Sequence, residues 1–105
     1  MLRRLRALLP FDRFIVEGES MAPSVSPGER VFVIKAAYWF GKPMPGDLVV
    51  LRDPRKPERL LIKRIDEAHG NSYEVAGDNV DASTDSRTFG PVPASLILGK
   101  VWFRY

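Results

Sequence analysis

Ser20 and Lys63 are the residues of this sequence whose types best fit covalent chemistry. The 105-residue chain contains no cysteine, which excludes a thiol nucleophile and thiolate metal sites. His69 is the single histidine, and it lacks the other members of a zinc site or a His-based triad. A serine that is activated by a neutral lysine needs neither a thiol nor an imidazole. The sequence therefore favours chemistry by a serine and a lysine.

Lys63 lies within the apolar run 60–65 (LLIKRI), which is typical of a buried β-strand. Strand alternation places Leu61, Lys63 and Ile65 on one face. A lysine must lose its charge to act as a base, and an apolar environment favours the neutral form. The residues alone leave a second interpretation open, in which Lys63 lies on an edge strand and its ammonium group reaches water.

Ser20 follows a predicted strand and lies at a corner of the chain between Gly18 and Pro23. A serine at such a corner exposes its hydroxyl group, and the neighbouring backbone N–H can face a developing oxyanion. Gly18 offers no side-chain donor for that purpose. The residues alone also allow Ser20 to be an ordinary turn serine.

A long polar loop, residues 77–93, is the third candidate segment. Loops of this length in small domains are usually functional or disordered. Asp85 and Arg87 could pair and stiffen the loop, although a hydrated surface loop is the alternative. Asp78, Asp81 and Asp85 do not have the spacing of a calcium-binding EF-hand. We therefore predict no metal-binding residues and no cofactor.

The elements that must position these residues are short strands. After Pro10, runs rich in Val, Ile, Leu and aromatic residues alternate with Pro-Gly and Gly-Asn turn signals. This pattern predicts an all-β, or mainly β, fold of about six or more short strands. The length predicts one domain, residues 13–105, after a short leader, residues 1–12. The predicted strands are 13–17, 30–35, 47–52, 59–65, 72–76 and 96–103.

The leader is basic and amphipathic. The net charge of +3 belongs entirely to residues 1–16, so the rest of the chain is balanced and a nucleic-acid partner is not expected. No apolar run is long enough for a transmembrane segment. We predict a helical or irregular leader, a cytoplasmic location and peripheral membrane contact through residues 1–11, with a frayed or packed terminal segment as the alternative. The predicted apolar face of the leader is Leu2, Leu5, Leu8 and Leu9.

Four segments of the chain resemble the characteristic segments of the signal peptidase I family, and they occur in that family's order. One of them places Lys63 within the expected strand, and together they cover roughly residues 14–101. The four segments are 20–30 (SMAPSVSPGER), 45–50 (PGDLVV), 62–65 (IKRI) and 77–92 (GDNVDASTDSRTFGPV).

The resemblance implies a mainly β serine endopeptidase with a Ser–Lys dyad and no cofactor. By motif position, Ser20 corresponds to the nucleophile and Lys63 to the general base. The partner implied is a protein precursor that carries a propeptide or a signal peptide.

The remaining site residues are also implied by the resemblance. Ser83 corresponds to the hydroxyl group that orients the lysine, and Asp85 and Arg87 correspond to a supporting ion pair. Met21 and Pro23 are expected to bind substrate.

The compact chain most resembles a subgroup that matures nickel-type superoxide dismutase by removing a short propeptide. One alternative is a membrane-associated signal peptidase I-like enzyme that processes exported proteins. Another is a non-catalytic β module that binds a partner, and a self-cleaving repressor relative is a third. The repressor relative would need a DNA-reading segment before Ser20, and the sequence contains none.

Overall fold

Alternating apolar segments form the strands of this protein, which a computed structural model describes over residues 1–8, 10–39 and 41–105. Within those residues, eight strands pair in an antiparallel sheet. The predicted all-β fold class is therefore confirmed. The strands are β1 (Leu2–Leu8), β2 (Phe11–Val16), β3 (Arg30–Ile34), β4 (Leu48–Asp53), β5 (Lys56–His69), β6 (Ser72–Ala76), β7 (Val92–Pro93) and β8 (Ile97–Arg104).

The strand order of the sheet is β1-β2-β3-β8-β4-β5-β6-β7. The sheet curls so that β1 also reaches β5. Strand β1 also pairs with β5, where Leu2 lies opposite Leu60. This pairing closes six strands into a ring, and β6 and β7 extend one side of it. The six strands are β1, β2, β3, β8, β4 and β5. Strand β5 is 14 residues long, so it belongs both to the ring and to the extension.

Two apolar cores lie on opposite faces of β4 and β5. Val50 and Ile62 point into the first core, whereas Val49, Leu51 and Leu61 belong to the second, as period-two alternation requires. Strands β6 and β7 contribute Tyr73, Val75 and Val92 to the second core. The first core contains Leu2, Phe14, Val16, Met21, Val25, Val31, Val33, Val50 and Ile62, and the second contains Val49, Leu51, Leu61, Ile65, Tyr73, Val75 and Val92.

Within residues 1–8, 10–39 and 41–105, helical structure is limited to single turns. Helix α1 (Ser86–Phe89) begins after Asp85, whose side chain accepts a hydrogen bond from the Arg87 backbone N–H. In the part of the chain that the structure describes, no helix has the length and apolar character needed to cross a membrane. The short 3₁₀ helices are Lys35–Tyr38, Val80–Ala82 and Ala94–Leu96.

The leader forms a strand, so the prediction of a helical or irregular leader is wrong. Strand β1 pairs with β2 over its length, with Leu2 opposite Val16 and Arg4 opposite Phe14. Leu2 is buried in the first core, and the Arg4 guanidinium lies 2.9 Å from the Asp12 carboxylate. Pairing with β2 satisfies the backbone groups of the leader, whereas an isolated helix of this length is unstable in water. Of the predicted apolar face, Leu9 lies outside the described residues.

Candidate active site

Ser20 lies in a tight turn after β2, and its side chain is buried, with 8% of the residue exposed. The turn is held by hydrogen bonds from the Ala22 N–H to the Glu19 carbonyl group and from the Val25 N–H to the Met21 carbonyl group. Among the described residues, no acceptor is found for the Ser20 backbone N–H. This N–H therefore remains available as a donor beside the Ser20 hydroxyl group.

The beginning of loop 77–93 packs directly against the Ser20 turn. The Asn79 N–H donates a hydrogen bond of 2.9 Å to the Ser20 carbonyl oxygen, and the Asp78 N–H donates to the Met21 sulfur atom at 3.4 Å. Gly77 approaches so closely that a Cβ atom there would lie 2.6 Å from the Ser20 carbonyl oxygen. The loop thereby fixes the position of the backbone that carries Ser20.

Lys63 lies in β5 opposite Val49, and 2% of it is exposed. It shares its face with Leu61 and Ile65, as alternation predicts, and both belong to the second core. The Lys63 Nζ donates a hydrogen bond of 3.0 Å to the Ser83 Oγ. Burial lowers the pKa of the Lys63 amine, because the charged form loses water on entering the protein interior. This environment excludes the water-exposed lysine considered above.

Ser83 connects Lys63 to a buried carboxylate. The Ser83 Oγ donates a hydrogen bond of 3.1 Å to Asp85, which also accepts one from the Gly77 N–H at 3.0 Å. The Arg87 guanidinium donates to both oxygens of Asp85, at 2.9 and 3.2 Å. Burial alone would raise the pKa of Asp85, but the bonds from Arg87, Gly77 and Ser83 outweigh it and lower the pKa to about 2. Asp85 is therefore ionised at neutral pH.

Ser20 and Lys63 line the same cavity, whose volume is about 170 Å³. No hydrogen bond joins the Ser20 Oγ to the Lys63 Nζ in the described part of the chain, and such bonds are often loose before substrate binds. Met1 reaches the cavity because its ammonium group donates to the Glu17 carbonyl oxygen at 2.8 Å. The lining residues are Met1, Gly18, Glu19, Ser20, Arg55, Arg59, Leu61, Lys63, Ala82 and Thr84.

Met21 and Pro23 lie away from the cavity, although both are predicted to bind substrate. Met21 is fully buried in the first core, so its side chain is not available to a substrate in this conformation. Its position anchors the Ser20 turn instead. Pro23 is exposed on the turn and is not part of the cavity wall.

Sequence reasoning missed an ion pair that attaches loop 77–93 to β5. The Arg64 guanidinium grips both carboxylate oxygens of Asp78, at 3.0 and 2.7 Å. Arg64 points to the face opposite Lys63, so consecutive residues of β5 hold the two ends of the loop segment 78–83. The alternation of Lys63 and Arg64 in the sequence is the signal that could have indicated this division.

A second cluster of ionisable residues, which we call the His69 cluster, lies where β5 and β6 meet at their turn. His69 Nε2 lies 3.0 Å from a carboxylate oxygen of Glu67 and 3.0 Å from one of Glu74. Its ligand-type atoms lie within 4.8 Å of one another, so the donor set could hold a metal ion. All three side chains are substantially exposed, and protonated His69 forms an ion pair with each of the two carboxylates. The sequence analysis gave His69 no partners, so it did not indicate this cluster.

The arrangement around Ser20 suits proton transfer from a hydroxyl group. A lysine with a lowered pKa can accept a proton at a milder pH than a solvent-exposed lysine can. The hydroxyl proton of Ser83 is donated to Asp85, so the Ser83 oxygen faces Lys63 as an acceptor. The cavity beside both residues gives a peptide access to them.

Comparisons with known proteins identify the family of this chain. Residues 4–72 and 66–105 match the profile of the family described as signal peptidase, peptidase S26. The mitochondrial ATP-independent inner membrane protease subunit 1a of Arabidopsis thaliana is 36% identical over 121 residues. The human mitochondrial inner membrane protease subunit 1 is 30% identical over 107 residues, and signal peptidase I U of Bacillus subtilis (strain 168) is 36% identical over 73 residues.

The alignments cover most of this chain but different shares of the relatives. They include 89% of this chain and 72% of the Arabidopsis protein, and 83% of this chain and 64% of the human protein. For the Bacillus protein, the values are 70% of this chain and 38% of the relative. Members of this family are serine peptidases. The chain belongs to the signal peptidase, peptidase S26 family.

Proposed function

We propose that this protein is a serine endopeptidase that removes N-terminal leaders from protein precursors, with Ser20 as nucleophile and Lys63 as general base. The environment of Lys63 is the observation that carries the proposal. Lys63 is buried, its pKa is lowered, its Nζ bonds to Ser83, and it lines the cavity that Ser20 also lines. A binding module has no need for a lysine in such a place.

The reaction begins when a peptide carbonyl carbon lies beside the Ser20 hydroxyl group. Neutral Lys63 takes the hydroxyl proton while Ser20 Oγ attacks that carbon and forms a tetrahedral intermediate. The Ser20 backbone N–H donates a hydrogen bond to the oxyanion. Protonated Lys63 then gives its proton to the leaving amine as the C–N bond breaks. Water hydrolyses the acyl-enzyme, again with Lys63 as base.

Ser83, Asp85 and Arg87 act on the reaction by positioning Lys63. The Ser83 oxygen accepts one N–H of the lysine, which leaves the lone pair of the neutral amine for the Ser20 proton. Asp85 fixes the hydroxyl proton of Ser83, and Arg87 keeps Asp85 ionised. Because Arg87 also lowers the pKa of Lys63 while Asp85 raises it, the pair limits the net charge that Lys63 feels.

The substrate class follows from the relatives more than from the cavity. The relatives are named as signal peptidases and inner membrane proteases. These names favour the processing of exported or membrane proteins. The narrower expectation, maturation of a nickel-type superoxide dismutase, has no support among the relatives. We therefore assign precursors of exported or membrane proteins as the main substrates.

Purified protein tests this proposal on two substrates, an exported precursor that carries its signal peptide and a nickel-type superoxide dismutase precursor. Mass spectrometry of the new N-terminus is the readout. We expect cleavage of the exported precursor by the wild type and none by Ser20→Ala or Lys63→Ala. Equal cleavage by the three proteins would remove the dyad assignment. Cleavage of the dismutase precursor alone would restore the narrower function, and cleavage of neither would favour the non-catalytic module.

We further propose that the protein contacts a membrane surface through an aromatic face, which extends the predicted contact from the leader to the outside of β2, β3 and β8. Phe32 stacks on Phe103 at 5.2 Å between ring centroids and lies 5.4 Å from Phe11. Trp102 and Tyr105 continue the face, and they are 62% and 49% exposed. Trp and Tyr are the side chains that favour the membrane interface.

Basic residues share this face. Arg13 alternates with buried residues of β2 and lies opposite Phe32, and Arg30 lies opposite Ile15. Within the described residues, neither Arg13 nor Arg30 forms an ion pair. Uncompensated cations beside aromatic rings fit an anionic lipid surface. The cytoplasmic location stays a prediction.

Co-sedimentation with lipid vesicles tests the membrane contact. We expect binding to vesicles that contain phosphatidylglycerol, weaker binding to pure phosphatidylcholine, and loss of about tenfold in affinity for Trp102→Ser. Trp39→Ser is a matched control, because Trp39 is 60% exposed but lies outside the aromatic face. Equal loss in both variants, or no binding by the wild type, would contradict the contact.

A further inference from the structure

Arg59 lies on the wall of the cavity that Ser20 and Lys63 share. Alternation along β5 directs Arg59, Leu61 and Lys63 to the same side, and all three line the cavity. The wall therefore runs from the lysine, past an apolar side chain, to a guanidinium. A peptide that lies along this wall with its scissile bond at Ser20 must pass Arg59.

Two arginines reach the cavity, but they differ in how their charges are compensated. Arg55 donates to both oxygens of the buried Asp53, at 3.1 and 2.9 Å, and lies over the Phe89 ring. For the Arg59 guanidinium, the described residues provide neither an ion pair nor a hydrogen bond. Glu19 also lines the cavity, without forming an ion pair to Arg59. The positive charge of Arg59 is thus available to a ligand.

We infer that Arg59 binds a carboxylate side chain of the substrate and so makes the enzyme prefer precursors with Asp or Glu close to the scissile bond. This inference rests on the proposed endopeptidase function. At about 3.3 Å per residue along β5, the Cα atoms of Arg59 and Lys63 are about 13 Å apart, or about four residues of an extended peptide. The selected carboxylate therefore lies within about four residues of the cleaved bond, on one side of it.

An arginine is suited to this role because its planar fork can bind both oxygens of a carboxylate. The same fork can also bind backbone carbonyl groups of any peptide. Those two functions differ in one measurable respect. Backbone binding raises kcat/KM for all peptides alike, whereas carboxylate binding raises kcat/KM for a Glu peptide above that for the matching Gln peptide. The ratio of kcat/KM for paired substrates therefore distinguishes them.

Quenched fluorogenic peptides provide the test. Each peptide has alanines next to the scissile bond and glutamines at the outer positions, and one Gln at a time is replaced by Glu. We expect the wild type to cleave the Glu peptide about tenfold faster at one position. Arg59→Gln should bring that ratio to about one, and Arg59→Glu should reverse it. Lys56→Gln is the matched control, since it removes a charge from the same strand outside the cavity, and its ratio should equal that of the wild type.

The outcomes separate the inference from the proposed function. A wild-type enzyme that cleaves no peptide, or one whose cleavage survives Ser20→Ala, would remove the proposed function itself. Cleavage without any preference for Glu would overturn the role of Arg59 and leave the endopeptidase function intact. A preference that persists in Arg59→Gln, or that disappears equally in Lys56→Gln, would overturn it as well. Added salt should weaken the wild-type preference, because the contact is between charges.

Discussion

Lys63, Ser83, Asp85 and Arg87 form a hydrogen-bond network, which we call the Lys63 network. This network and the His69 cluster both contain a hydrogen bond of 3.0 Å between a side-chain nitrogen and an oxygen, yet their surroundings differ. Lys63 is 2% exposed and bonds to a neutral hydroxyl group, Ser83. The His69 side chain is 57% exposed and bonds to two carboxylates, those of Glu67 and Glu74. Burial lowers the pKa of Lys63, whereas the hydrogen bonds to Glu74 and Glu67 raise the pKa of His69.

The difference teaches that burial, more than bond length, decides which cluster can perform base chemistry. Water screens the exposed charges of the His69 cluster, so its ion pairs contribute little. In the interior, the neutral form of Lys63 is favoured because a buried charge is unfavourable unless it is paired. A buried lysine beside a serine is thus prepared to accept a proton, and a histidine held between two carboxylates is prepared to keep one.

Replacing Lys63 with methionine should separate activity from stability most widely. We expect kcat/KM to fall by at least about a thousandfold, since the nucleophile and its base act as a unit. The free energy of unfolding should stay the same or rise, because a buried amine is replaced by an apolar chain of similar length. Peptide cleavage and urea denaturation measure the two effects. Lys56→Met, on the exposed start of β5, is the control that should change neither.

Gly77→Ala tests whether the loop positions Ser20. An added Cβ atom would overlap the Ser83 side chain and lie 2.6 Å from the Ser20 carbonyl oxygen. Because the Ser83 side chain and the Ser20 backbone must both shift, we expect kcat/KM to fall by about a hundredfold. In Gly41→Ala the Cβ atom would make an ordinary contact of 3.6 Å with Ala37, so this control should keep its activity. Equal kinetics for the two variants would contradict a positioning role for the loop.

The pH dependence of kcat/KM should report the ionisation of Lys63. Since Lys63 reacts in its neutral form and its pKa is lowered from 10.5, kcat/KM should rise about tenfold per pH unit up to that lowered pKa. Asp85, with a pKa of about 2, stays ionised throughout and should not contribute a limb. Stopped assays across neutral and alkaline pH measure the profile. Carbon NMR of labelled lysine would contradict this assignment if Lys63 titrated like an exposed lysine.

Sequence reasoning reached the parts of the molecule that depend on local alternation. The face of β5 that carries Leu61 and Lys63 follows from period-two patterning alone. The leader was predicted wrongly because a short basic apolar segment fits either period, and pairing between Leu2 and Val16 decided the outcome. Pairing is a tertiary contact that the leader does not encode by itself.

Side-chain neighbours across strands were the second limit. The His69 cluster exists because Glu67 lies opposite Glu74, and that register is set by the turn between β5 and β6. Met21 could be assigned to the turn but not to the core beneath it, since the depth of a side chain depends on the closure of the sheet. The uncompensated charge of Arg59 likewise appears only once its neighbours are known.

His69→Gln should have the smallest effect and should show the opposite pH dependence. The pKa of His69 is raised above 6.5 in the folded state, so its contribution to stability is fully present below 6.5 and is lost as the pH rises through the raised value. We expect the variant to lower Tm by about 2 °C or less in mild acid and to match the wild type in alkali. Thermal unfolding at both pH values measures this. The lowered pKa of Lys63 acts the other way, since the unfolded chain binds more protons and stability rises with pH toward 10.5. If His69→Gln instead reduced stability equally at every pH, packing and not charge would hold the cluster together. The difference between the His69 cluster and the Lys63 network would then not be explained by solvent exposure alone.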